Sequence, residues 1–111
     1  FADLAALTPC ALDELAGMAF DVVVNATSAS LAGAQLSLPA TVFTAGCLAY
    51  DMMYGRGETP FLAQARSQGA GRLADGLGML VEQAAEAFAL RRGVRWATAP
   101  VLAALRAQLA A

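Results

Sequence analysis

The sequence contains no lysine and no histidine, and only one tryptophan, two tyrosines and two cysteines among its 111 residues. Lysine and histidine are the side chains most often recruited for proton transfer near neutral pH or for Schiff-base work. Any chemistry served here must borrow such groups from elsewhere. Charge is scarce as well: 14% of residues are charged, as seven Arg against nine Asp plus Glu, for a net charge of −2 and a pI near 4.8. The arginines are scattered rather than gathered into a stripe, which argues against a nucleic-acid partner. Cys10 and Cys47 stand alone without C-x-x-C spacing. They read as buried thiols in a reducing compartment, not as a metal site or a disulfide. Long hydrophobic runs are missing too. No 18-residue window is free of charge or turn residues, and the most apolar stretch, Leu77 to Leu90, carries Glu82 and Glu86, so a membrane span is not expected. The chain opens on Phe1 with no signal-peptide pattern and reads as a piece of something longer.

What is present is apolar but small. Hydrophobic residues make up 59% of the chain and 28 of them are alanine, which excludes a disordered tail, a collagenous repeat or a disulfide-stapled mini-protein. Phe20 to Val24 is a short β-branched run followed at once by Asn25-Ala26-Thr27-Ser28, the pattern of a buried parallel strand ending in a loop. Cys47 to Asp51 repeats it before Met52, Met53, Tyr54 and the breakers Gly55 and Gly57, and Gly71 to Asp75 is a third candidate running into Gly76-Leu77-Gly78. Helix-like stretches separate these runs, notably Thr59 to Gln68, where Thr59 can cap, Pro60 suits the first turn and Gly69 can terminate. Strand, helix, strand implies parallel crossovers.

From Leu77 the alternation stops. A helix to about Arg92 is followed, after Gly93 and Trp96, by another from Thr98 to about Leu109. Leu77, Leu80, Val81, Ala84 and Phe88 share one face of the first, and Val101, Leu102, Leu105 and Leu109 one face of the second. Two consecutive amphipathic helices need a surface to cover them, so the expected boundary falls at Asp75 to Gly78, dividing residues 1–75 from 76–111.

In parallel α/β sheets ligands sit outside the carboxyl ends of the strands. Here those ends carry Asn25, Thr27 and Ser28, then Met52 and Tyr54, then two glycines opening a helix. Small polar groups, an adaptable thioether, a phenol and bare backbone suit a cofactor crevice. The same residues also read as a plain turn, a pair of core methionines and a chain reversal, and pattern alone leaves both open. Gly76-Leu77-Gly78 is not the start of a G-x-G-x-x-G fingerprint, because Val81 stands where the third glycine belongs. Gln83 follows Gly76 by seven residues, about 700° of rotation and roughly 10 Å along a helix axis, which puts both on one side. Among Met79, Leu80, Ala84 and Ala87, its amide would need a partner, which a bound polyol could supply, although a lone Gln on a helix is more often merely solvated.

Phe20-Asp-Val-Val-Val-Asn-Ala-Thr-Ser28, Tyr50-Asp-Met-Met-Tyr54, Thr59-Pro-Phe-Leu62 and Asp75-Gly-Leu-Gly-Met-Leu-Val-Glu-Gln-Ala-Ala85 together resemble, in order and spacing, the C-terminal part of shikimate dehydrogenases. The resemblance runs from an expected first strand near Ala5 to Cys10 through the closing helix. It implies an α/β fold: the end of a Rossmann-like parallel-sheet domain that binds NADP, followed by two amphipathic helices that return to a substrate domain lying outside this chain. It also implies a cytoplasmic enzyme that reversibly reduces 3-dehydroshikimate to shikimate, with the catalytic Lys and Asp and the segment that recognises the 2′-phosphate all in that other part. The resemblance leaves no catalytic residue and no metal ligand in these 111 residues, and the chain alone is expected to be inactive.

Carried over residue by residue, the resemblance places Met52 and the Gly76 backbone against the nicotinamide half of the cofactor. It places Tyr54 and Gln83 against shikimate, and Asn25, Ala26 and Thr27 along the cofactor crevice. One departure concerns Ser30, where the family usually has Gly; a positive φ there would strain it mildly. The expected partners are shikimate or 3-dehydroshikimate and the rest of the same protein, with a homodimer also allowed. A quinate/shikimate dehydrogenase using NAD, and a non-catalytic module that keeps the fold, are the alternative readings. By the family's strand order, the strand near Ala5 should lie away from the other three.

Overall fold

The β-branched runs and their breakers determine where the chain extends and where it coils. In the computed structural model, which describes all 111 residues apart from the side chain of Ser30, three strands form: β1 (Val22–Asn25), β2 (Leu48–Asp51) and β3 (Arg72–Asp75). They pair in parallel in the order β1-β2-β3, with Val23 opposite Ala49 and Ala49 opposite Leu73. Because strand side chains alternate between faces, Val23, Ala49 and Leu73 share one face. Helix α1 (Pro60–Ser67) packs on β2 and β3, and the core of Val42, Phe43, Cys47, Ala49, Phe61, Leu62 and Ala65 takes in Val23 and Leu73. Phe61 meets Phe43 edge-on with ring centroids 5.9 Å apart, a favoured aromatic geometry.

The boundaries of α1 follow from local chemistry. Thr59 is extended, and its hydroxyl accepts from the Leu62 amide; Pro60 occupies the first helical position, where its missing N–H costs nothing. Past the C-terminus the chain turns at Gly69, whose φ of +102° is accessible to glycine at little cost. Helix α2 (Leu77–Arg92) ends at Gly93 in the left-handed conformation, which satisfies a terminal carbonyl. Helix α3 (Thr98–Ala110) packs against α2.

Four expectations need correction. No strand forms at Ala5 to Cys10: those residues are turn and irregular structure, since a strand exists only through a ladder and no described strand meets them. No α-helix connects β1 to β2 either. That crossover has only the 3-10 turns Ala29–Ala32 and Ala40–Val42, because Gly33 (φ +67°) and Pro39 interrupt helical spacing. It is held instead by the buried Gln64 of α1, whose Nε2 donates to the Leu36 carbonyl at 2.8 Å. Finally, β1 is not buried on both faces. Val22 and Val24 are exposed opposite the α1 layer, and Cys10 is exposed while Cys47 is buried. The Ser30 expectation falls on a side chain outside the described residues. No helix among the described residues is long and apolar enough to cross a membrane.

Phe61 is 2% exposed and fills the space between α1 and the sheet. Phe61→Ala should therefore lower stability by about 3–5 kcal/mol through lost transfer energy and a residual cavity. The measurement is the urea midpoint at unchanged slope; a loss below about 1 kcal/mol would show that the site collapses and that the core does not depend on this ring.

Candidate functional site

Each strand ends in an Asx residue, and the register sets the three side by side: Asn25 opposite Asp51, and Asp51 opposite Asp75. They point to the same face as Val23, Ala49 and Leu73 by strand alternation. Each side chain also makes the same local bond. Asn25 Oδ1 accepts from the Thr27 amide at 3.0 Å, Asp51 Oδ1 from the Met53 amide at 3.0 Å, and Asp75 Oδ1 from the Leu77 amide at 3.1 Å. An Asx side chain that captures the amide two residues on turns the chain sharply without glycine. Three strands are thus terminated in register, and three loops leave the sheet from one line.

The central carboxylate is the most deeply placed. Asp51 is fully buried; besides Met53 it accepts from the Thr59 hydroxyl at 2.6 Å and from Asn25 Nδ2 at 3.3 Å. Asn25 Oδ1 additionally takes the Thr27 hydroxyl at 2.7 Å. At the third strand, Asp75 pairs through both oxygens with Arg106 of α3. The Arg106 guanidinium holds the Asp75 carboxyl below its ordinary range, helped by the Leu77 amide and opposed by burial.

The loops then meet through their backbones. The Met52 amide donates to the Asn25 carbonyl at 3.0 Å, and the Gly76 amide donates to the Met53 carbonyl at 3.1 Å. Gly76 lies so close to the second loop that a Cβ there would fall 1.9 Å from the Met52 carbonyl oxygen. Its φ of −78° is open to any residue, so glycine is required by close approach and not by backbone conformation. Asn25, Thr27, Met52 and Gly76 are therefore brought together at the strand ends. Met52 and Tyr54 expose 39% of their surface each. Tyr54 lines a crevice of about 280 Å³ with Leu31, Met53 and the 55–60 turn. Ala26 is exposed at the turn after β1, and Gln83 is exposed on α2. Of the two readings of Gln83, a partnered amide or a solvated one, this exposure matches the solvated one in the chain by itself. The side chain of Asn25, by contrast, is spent on Thr27 and Asp51, so its contribution to the crevice is to shape the loop.

The sequence reading missed Asp51, Asp75 and Arg106. Their signal was present, since all three strand runs end in Asn or Asp, but only the register shows that they align. Another concavity lies elsewhere, an apolar groove of about 440 Å³ between α2 and α3 lined by Leu80, Ala84, Phe88, Trp96, Val101 and Leu105. It contains no titratable group. Among the described residues there is also no cluster of His, Cys, Asp or Glu suited to a metal ion.

No family model matches the chain. Comparison with curated proteins does: all 111 residues align at 66% identity with the shikimate dehydrogenase (NADP(+)) of Dechloromonas aromatica (strain RCB), covering 40% of that protein. Over its whole length this chain is similar to part of a shikimate dehydrogenase. Among solved structures, an Ael1 enzyme from Pseudomonas putida superposes with a TM-score of 0.76 at 56% identity, over 88% of this chain and 35% of that one. The shikimate 5-dehydrogenase of Thermus thermophilus, solved with shikimate, gives 0.64 at 33% identity over 82% of this chain and 34% of that one. The chain thus spans about two fifths of the length of the curated relative it matches, and its parallel α/β sheet is part of the family's Rossmann-like domain.

The Arg106 contact yields a pH signature. A carboxyl whose folded pKa lies below its unfolded value, about 3.9 for Asp, contributes stability above that pH and loses it as pH falls through the folded value. Arg106→Gln should therefore be less stable than the parent at pH 7, with the gap closing below about pH 4 as Asp75 protonates. Urea unfolding of both proteins from about pH 7 to about pH 2 checks this; a gap that stays constant with pH would remove Asp75 as the partner.

Proposed function

We propose that these residues form the C-terminal part of an NADP-dependent shikimate dehydrogenase, in which residues 1–75 complete the cofactor domain and 76–111 close back on the substrate domain. The observation that carries this reading is the meeting of three loops at the carboxyl ends of parallel strands, the place where open α/β sheets bind their ligands. The close approach of Gly76 to the Met52 carbonyl brings the second and third loops into one surface. The names and bound ligand of the relatives, an NADP(+) enzyme and a shikimate complex, support the same reading.

NADP fits what the loops present. Met52 offers an exposed thioether to a planar ring, Gly76 offers backbone without a side chain, and the 25–27 turn offers small groups along the crevice. The cofactor, when bound, would in its reduced form donate a hydride to the substrate carbonyl and in its oxidised form accept one from the alcohol. The chain's own residues bind and orient. Tyr54 and Gln83 reach the substrate with a phenol and an amide, both able to hydrogen-bond hydroxyls. With no Lys or His in the chain, proton transfer belongs to groups of the remaining protein. That same remaining part covers the apolar groove between α2 and α3, and a cytoplasmic location goes with the reading.

Gln83→Ala in the full-length enzyme is the test. Because Gln83 is exposed, the change should leave stability within about 0.5 kcal/mol, yet cost roughly 1–3 kcal/mol in kcat/KM for shikimate by removing one hydrogen bond. The KM for NADP should hardly move. Equal weakening of both ligands, or no loss at all, would overturn the substrate assignment. Gly76→Val could not serve this purpose, since its Cβ would strike the Met52 carbonyl and disturb the loops before any ligand arrives. The 111-residue chain alone, mixed with shikimate and NADP, should produce no reduced cofactor above a protein-free control, and turnover there would refute the placement of the catalytic groups elsewhere.

A further inference from the structure

A fully buried carboxylate is expensive, and it adds little net stability where well-packed apolar groups could replace it. Asp51 is such a group. The fold alone does not explain it, because the Thr59 hydroxyl caps α1 by accepting from Leu62 and needs no carboxylate for that. What Asp51 adds is a link between pieces. One oxygen takes the Thr59 hydroxyl at 2.6 Å, and the other takes the Met53 amide at 3.0 Å and the Asn25 amide group at 3.3 Å. The start of α1, the end of β1 and the loop after β2 are thereby tied to one rigid group. Its position at the capped N-terminus of α1 also suits a negative charge. Met53 is flanked by Met52 and Tyr54, the two exposed side chains of this loop, and its carbonyl receives the Gly76 amide at 3.1 Å.

From this we infer that Asp51 is a positioning residue: held by Thr59, it sets the bearing of the Met52–Tyr54 segment toward the ligands without touching either. The inference rests on the function proposed above. Misplacing a reacting partner by about 1 Å can cost on the order of 100-fold in rate, so a loosened loop should be visible in kinetics.

The experiment uses the full-length dehydrogenase with Thr59→Val, which removes the hydroxyl at nearly constant volume, and Thr59→Ser, which keeps it. Both are assayed well below their melting temperatures with shikimate and NADP varied in turn, and amide hydrogen exchange is followed over residues 52–57. Thr59→Val should lose roughly 10- to 100-fold in kcat/KM with faster exchange at Met53 and Tyr54, and Thr59→Ser should recover most of both. A Thr59→Val enzyme with a lower melting temperature but unchanged kcat, KM and Met53 exchange would overturn the inference, leaving Thr59 as a helix cap only. If Thr59→Val does not fold, Asp51→Asn decides by the same readouts, since one carbonyl oxygen cannot accept on both sides. If the unaltered full-length protein fails to turn over shikimate with NADP, the functional reading falls, and exchange at Met53 alone then decides whether Asp51 positions the loop.

Discussion

The Asp51 carboxylate is the point on which the strand ends depend. A charge removed from water must be surrounded by donors, and that requirement selects its neighbours. The Thr59 hydroxyl, the Met53 amide and the Asn25 side chain converge on it. Each of these belongs to a different part of the chain, so satisfying one buried group fixes the mutual placement of a helix start, a loop and an adjacent strand. Its flanking positions in the sheet hold Asn25 and Asp75, and the row repeats one local device three times. Parallel strands end with amides that the ladder no longer uses; Asx side chains take them up and turn the chain in the same act.

The geometry of the loops then follows with little freedom left. Once Asn25 and Asp51 have turned their loops, the Met52 amide reaches the Asn25 carbonyl, and the Gly76 amide reaches that of Met53. Only a residue without Cβ can occupy position 76 at that separation. Glycine here is a consequence of how tightly the second and third loops pack. Asp75 carries the row outward, starting α2 through the Leu77 amide and holding α3 through Arg106. The end of the third strand is thereby joined to both α2 and α3.

Much of this was readable from the residues. Val-Val-Val-Asn, Leu-Ala-Tyr-Asp and Arg-Leu-Ala-Asp announce strands that stop at a polar residue, Thr59-Pro60 announces the start of α1, and Gly93 the end of α2; these signals are local, and local chemistry settled them. The failures are of the opposite kind. A strand at Ala5 to Cys10 depends on a neighbour, and a helix between β1 and β2 depends on how a crossover containing Gly33 and Pro39 folds over the core. The alignment of Asn25, Asp51 and Asp75 was equally hidden, since register is a relation between strands and cannot be seen within any one of them.

The abundance of alanine explains why the two halves of the chain differ in character. In the sheet half, a few large side chains suffice: Phe61, Phe43 and Val42 fill the volume under α1, while Ala49 and Ala65 let helix and strand approach. Between α2 and α3 the same small residue has the opposite effect. Ala84, Ala85 and Ala97 line the groove without filling it, so Phe88 and Trp96 meet at its rim with centroids 6.0 Å apart and remain substantially exposed. Small side chains permit close backbone approach only where a larger partner stands opposite, as Phe61 does for the sheet. On the α2 side of the groove Ala84 and Ala85 stand across from Val101 and Leu105 of α3 and leave an apolar concavity open. The high apolar content therefore makes a dense core in one half and an open apolar surface in the other.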